Sequence, residues 1–106
     1  LQSQIKSLPN QFDVKKIIVA YEPVWAIGTG KVPLANEINN IHLKIRNLIS
    51  KKIGTANSNK ISILYGGSVN AKNAREILNL SHVDGVLVGG ASLKFKEFSK
   101  IIDSYK

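Results

Sequence analysis

The feature that most narrows the possible folds is a pattern that occurs three times. A short apolar run is followed by a glycine-bearing loop, and the loop by helical periodicity. The runs are Lys16 to Ala20, Ile61 to Tyr65 and Gly85 to Val88. Ile17, Ile18 and Val19 are consecutive and β-branched, which suits a strand covered on both faces, as in a parallel sheet. Strands that alternate with helices at this spacing predict β-α, β-α, β-α, with each helix returning the chain to begin a parallel neighbour. Three parallel strands alone leave two raw sheet edges, which proteins avoid. The pattern therefore reads as one portion of a larger α/β unit.

The helices are set by spacing. Leu1, Ile5 and Leu8 fall on one face of a short first helix, which Pro9 ends. Ile38, Ile41, Ile45, Leu48 and Ile49 form one apolar stripe of a long amphipathic helix. Lys51 and Lys52 add positive charge to its last turn, and Gly54 stops it. Thr55 to Lys60 reads as a polar loop. A third helix carries Ala74, Ile77 and Leu78, with Ser68 or Asn70 able to cap it. In a last helix, Phe95, Phe98, Ile101, Ile102 and Tyr105 are expected to pack on one side.

Composition removes several classes of function. The 106 residues are 43% hydrophobic and 21% charged, as in ordinary globular chains. No apolar run is long enough for a membrane helix. There is no cysteine, hence no disulfide framework and no thiolate metal site, which fits a cytoplasmic protein. The net charge is +8, but thirteen of the fifteen basic residues are scattered lysines without interleaved aromatics. Nucleic-acid surfaces cluster basic residues and favour arginine, so no nucleic acid and no membrane are expected as partners.

The chemistry gathers at the strands' C-terminal ends, where α/β folds place ligands. Glu22 ends the first strand, and Pro23 holds it in extended geometry. A stiff segment, Pro23-Val24-Trp25, and a small tip, Ala26-Ile27-Gly28-Thr29-Gly30, then follow, as a gated site would require. Trp25 and Ile27 could cover Glu22, and an apolar cover makes a carboxylate a better base. Gly66-Gly67-Ser68 and Gly89-Gly90 put bare backbone N–H groups near helix starts, and two such loops side by side could cradle one phosphate. A lone glycine pair is more often a plain tight turn, and a lone strand-end carboxylate is more often a solvated surface group. Gly28-Thr29-Gly30-Lys31 resembles part of a P-loop, but Val32 replaces the required hydroxyl residue. His42 and His82 lack metal-ligand spacing and read as surface or helix-packing residues, so no metal is expected. Tyr65 reads as core.

Three long stretches carry a more specific signal: Y-E-P-V-W-A-I-G-T-G-K (Tyr21–Lys31), L-Y-G-G-S-V-N (Leu64–Asn70) and D-G-V-L-V-G-G-A-S-L-K (Asp84–Lys94). In order and spacing they resemble the triosephosphate isomerase family, as do His42, Lys44 and Arg46 on the intervening helix. The resemblance covers essentially the whole chain. It implies that residues 1–106 are the C-terminal portion of a (β/α)8 TIM barrel, the last three strands and helices of a single domain. It also implies interconversion of dihydroxyacetone phosphate and D-glyceraldehyde 3-phosphate, a small-molecule triose phosphate, through an enediolate. The family does this in glycolysis and gluconeogenesis, as a homodimer, with no cofactor. Glu22 falls on the family's general base and Pro23 to Lys31 on its lid. The N–H groups of Gly28, Ser68, Gly89 and Gly90 fall on its phosphate donors. Tyr65 falls on the residue that latches the lid.

The departures from the family are local. Its proton-donating histidine and its strand-one Asn and Lys have no counterpart in these residues, so the chain alone is expected to be inactive or nearly so. The alternative is a non-catalytic fragment of a split or decayed reading frame, or a half-barrel that needs a partner chain. Pro33 stands where the family's latch can use a backbone N–H, which proline lacks. His82 stands where many members are acidic, so an ion pair to Arg46 is expected to be missing.

Overall fold

A computed structural model describes residues 1–23 and 33–105. Three strands, β1 (Ile18–Tyr21), β2 (Ser62–Tyr65) and β3 (Gly85–Val86), form one parallel sheet in the order β1-β2-β3. Helix α1 (Gln2–Lys6) precedes β1, α2 (Ala35–Ile53) and α3 (Thr55–Ser58) connect β1 to β2, α4 (Ala74–Leu78) connects β2 to β3, and α5 (Phe95–Asp103) closes the chain. This is the expected α/β arrangement, three parallel strands each followed by a helix, as a portion of a (β/α)8 barrel would have.

The first strand begins two residues later than the sequence suggests. Val14–Lys16 form a 3-10 turn instead, capped by the Asp13 carboxylate accepting from the Lys15 N–H at 3.0 Å. Its register pairs Val19 with Ile63 and Tyr21 with Tyr65. Side chains alternate across a strand, so Ile63 and Tyr65 point together into the helix layer and are fully buried. The opposite face is open: Ile18 is 67% exposed and Leu87 is 45% exposed. The expected burial of β1 on both faces is therefore not met by the described residues. Sequence marks a side chain as apolar but does not supply the layer that covers it.

Helix α2 is built as its stripe requires. Ile38, His42, Ile45 and Ile49 are buried at intervals of three and four. Each buried isoleucine contributes about 1.5–3 kcal/mol over leaving it in water. The helix stops at Gly54, whose φ of +89° strains any residue with a Cβ. Its apolar face separates two core clusters. Ile45 and Ile49 meet Ile61 and Ile63, while Ile38 meets Tyr65, Val69, Ile77 and Ile101.

Three expectations are corrected. Thr55–Ser58 is a helical turn, not a loop, because Ser58 is buried and held at both ends by Arg46. Ser58 Oγ donates to the Arg46 carbonyl at 3.0 Å, and Arg46 Nη1 donates to the Ser58 carbonyl at 2.6 Å. Secondly, the ion pair expected to be missing at His82 is made by Asp84, whose Oδ2 lies 2.5 Å from Arg46 Nη2. The same oxygen accepts from the Ile63 N–H at 2.8 Å, so the pair ties α2 to the start of β2. Thirdly, only Ile101 of the α5 apolar set is buried, and Phe95 is 85% exposed. Phe98, Ile102 and Tyr105 line an open groove of about 410 Å³ beside the edge strand β3.

Candidate active site

The loop after β2 is shaped by a reciprocal pair of asparagines. Asn70 Oδ1 accepts from the N–H groups of Lys72 and Asn73 at 2.9 and 3.0 Å. Asn73 Oδ1 accepts from the Asn70 N–H at 2.9 Å, and Asn73 Nδ2 donates to the Ser68 carbonyl at 2.9 Å. Short amides that bond local backbone build such turns. Neither expected cap, Ser68 or Asn70, caps α4: its N-cap residue is Asn73, with no side-chain cap bond, and Asn70 shapes the turn before it. The loop after β3 is closed by Ser92, whose hydroxyl donates to the Gly89 carbonyl at 2.6 Å.

The two loops face one cavity of about 550 Å³, bordered by Gly66, Gly67, Ser68, Gly89, Gly90 and Lys94. Ser68, Gly89 and Gly90 are thus brought together as the sequence predicts. A Cβ added at Gly89 or Gly90 would meet nothing within 4 Å among the described residues. Gly89 has φ −87° and ψ −115°, outside both the helical and the extended regions. Packing among the described residues does not demand glycine at either position. Glycine at these positions also allows a ligand to approach the backbone closely.

Glu22 lies at the exposed end of β1, in register beside Gly66. Gly66 N donates to the Tyr21 carbonyl at 2.8 Å. A Cβ on Gly66 would sit 2.6 Å from Glu22 Cγ. The carboxylate therefore packs directly on the first glycine of the cradle. It does not line the cavity itself; it borders a neighbouring groove of about 490 Å³ with Val19, Tyr21 and Pro23. Gly28, Trp25, Ile27 and the rest of residues 24–32 lie outside the described residues, as does most of the expected lid.

Tyr65 is fully buried beneath the cradle, where a Cβ on Gly67 would collide with its hydroxyl. That hydroxyl has no hydrogen-bond partner among the described residues. Burial raises its pKa, and the neighbouring Tyr21 adds to the shift. A buried orphan hydroxyl needs a physical account. His42 packs against both tyrosines, edge-on to Tyr21 at 6.0 Å and tilted against Tyr65 at 6.1 Å. Its ring nitrogens are also without partners among the described residues. Burial, opposed mainly by Asp84, lowers its pKa from 6.5 to about 4. Of the two sequence readings, helix packing holds for His42. Its place on the stripe Ile38, Ile45, Ile49 carried that signal. Among the described residues no group of three His, Cys, Asp or Glu side chains converges as a metal site would.

A sequence model of triosephosphate isomerase matches residues 1–105. The chain belongs to the triosephosphate isomerase family. The triosephosphate isomerase of Porphyromonas gingivalis is 50% identical to it over 96 residues, which is 91% of this chain and 38% of that protein. The one from Phocaeicola vulgatus is 52% identical over 94 residues, 89% of this chain and 38% of that protein. The one from Lawsonia intracellularis is 48% identical over 102 residues, 96% of this chain and 40% of that protein. The chain thus spans about two-fifths of these triosephosphate isomerases.

Proposed function

We propose that residues 1–106 are the C-terminal part of a triosephosphate isomerase barrel domain that interconverts dihydroxyacetone phosphate and D-glyceraldehyde 3-phosphate. The observation that carries this reading is the pair Gly89-Gly90. It faces Gly67-Ser68 across one cavity and is kept bare of side chains where packing among the described residues does not require it. Backbone N–H groups presented in this way suit a phosphate. Glu22 packs on Gly66, which borders the same cavity. Its carboxylate would take a proton from the carbon next to the substrate carbonyl and return it to the neighbouring carbon, passing through an enediolate. The buried Tyr65 hydroxyl, which lacks a partner among the described residues, suits a latch for the lid formed by Pro23 to Lys31, with Gly28 adding a further phosphate donor. The electrophile that polarises the carbonyl would come from the rest of the barrel, so the 106-residue chain alone is expected to show no turnover. The reaction would place the protein in glycolysis and gluconeogenesis, in the cytoplasm, as a homodimer.

Amide NMR of the full-length protein tests the phosphate assignment. Titration with phosphoglycolate should shift the Ser68, Gly89 and Gly90 resonances together. Shifts confined to other loops would refute it.

A further inference from the structure

The cradle is made of two arms from different strands, and something must set the distance between them. The first arm, Gly66 to Asn73, leaves β2, and the second, Gly89 to Lys94, leaves β3. The two strands pair through Leu64 with Gly85 and Tyr65 with Val86, and the Leu87 N–H donates to the Tyr65 carbonyl at 2.9 Å. Beyond that point a side chain spans the gap. Glu97, in the first turn of α5, accepts the Ala71 N–H on its Oε1 at 2.8 Å. The bond is half-buried and joins positions 26 residues apart. It runs from the helix that follows the second arm to the turn that closes the first. Glu97 also borders the cavity itself.

A carboxylate on the wall of an anion site is electrostatically out of place. A negative side chain there repels a phosphate, so charge gives no reason for it. Geometry gives one. A charge-assisted bond to a backbone N–H is short and directional, and one that bridges two loops fixes their separation. We propose that Glu97 is a positioning residue for the phosphate cradle, holding the Ser68 arm against the Gly89-Gly90 arm through the Ala71 N–H. The inference rests on the reading of this cavity as a phosphate site.

Two conservative variants of the full-length protein separate reach from charge. Glu97→Gln keeps the length and an acceptor oxygen but removes the charge. Glu97→Asp keeps the charge but is one methylene too short to make the same bond. Binding of inorganic phosphate is measured by titration. Catalytic efficiency is measured with glyceraldehyde 3-phosphate and with phosphate-free glyceraldehyde. E97D should weaken phosphate binding by about tenfold, the scale of one lost hydrogen bond to a charged group. It should lower kcat/KM for the phosphorylated substrate by a similar factor and leave glyceraldehyde unchanged. E97Q should bind phosphate within about threefold of the parent, since reach is kept. The opposite order, with E97Q tightening binding and E97D unaltered, would show that charge and not reach governs the site and would overturn the proposal. So would an equal loss on both substrates in E97D, which is the mark of general destabilisation. A parent protein that binds phosphate with this E97D and E97Q pattern but isomerises nothing would refute the proposed reaction while upholding the role of Glu97. A parent that binds no phosphate would overturn both.

Discussion

Gly66→Ala is a one-methyl change whose consequence can be worked from the structure. The added Cβ falls 2.6 Å from Glu22 Cγ and 3.4 Å from both Glu22 Cδ and the Tyr21 carbonyl oxygen. Only the first contact is prohibitive. To restore an ordinary contact of about 3.4 Å, the Glu22 side chain must give way by about 0.8 Å, because the strand backbone is held by the bond from Gly66 N to Tyr21. If Glu22 is the base of the proposed reaction, a displacement of this size costs on the order of 10²-fold in rate. The substitution places no new group on Ser68, Gly89 or Gly90. In the full-length protein, steady-state kinetics should therefore show kcat falling by on the order of 10²-fold, with affinity for phosphoglycolate changed by less than about threefold. A kcat within a factor of about three of the parent would refute the placement of Glu22 against Gly66 as the geometry that matters. A loss carried wholly by phosphoglycolate affinity would do the same.

Two further predictions concern stability. His42 is neutral and buried, with its folded pKa near 4, below the unfolded value of 6.5. The unfolded chain therefore binds a proton first as pH falls, and stability is lost from about pH 6.5 downward towards pH 4. At pH 5 that loss is about 2 kcal/mol relative to pH 7. Urea unfolding at the two pH values should show this slope in the parent and not in His42→Leu; equal slopes would contradict it. Arg46→Met keeps the apolar stem but leaves the Ser58 and Ile61 carbonyls and the Asp84 carboxylate without the guanidinium that now bonds all three. It should cost about 3 kcal/mol in urea unfolding, and a loss below about 1 kcal/mol would show the network to be dispensable.

Much of this fold was legible because the signals were local. β-Branched runs marked the strands, the isoleucine stripe marked α2, and Gly54 marked its end. The glycine loops stood out in the same way: Gly66-Gly67-Ser68 follows β2 directly, and Gly89-Gly90 comes two residues after β3, which ends at Val86 rather than Val88. The features missed were those that depend on what lies opposite. The helical turn at Thr55–Ser58 has no apolar periodicity and is held by Arg46 from another helix. Resemblance pointed to position 82 for the partner of Arg46, but the chain uses Asp84 two residues on, where the same oxygen also reaches the Ile63 N–H. The contact of Glu22 with Gly66 needs the parallel register, and the bond from Glu97 to Ala71 needs two loops to converge. Neither is written in a motif. The exposure of Ile18 and Phe95 shows the converse limit: an apolar pattern marks a face but not its cover.

The central claim is that Glu22 is the base acting beside a backbone phosphate cradle. Glu22→Gln in the full-length protein tests it most directly, because the amide keeps the shape and cannot take the proton. The account predicts that kcat drops by about 10²–10⁴-fold, the range for loss of a positioned general base, while phosphoglycolate binds with an affinity within about threefold of the parent. An E22Q protein with kcat within about tenfold of the parent would contradict it.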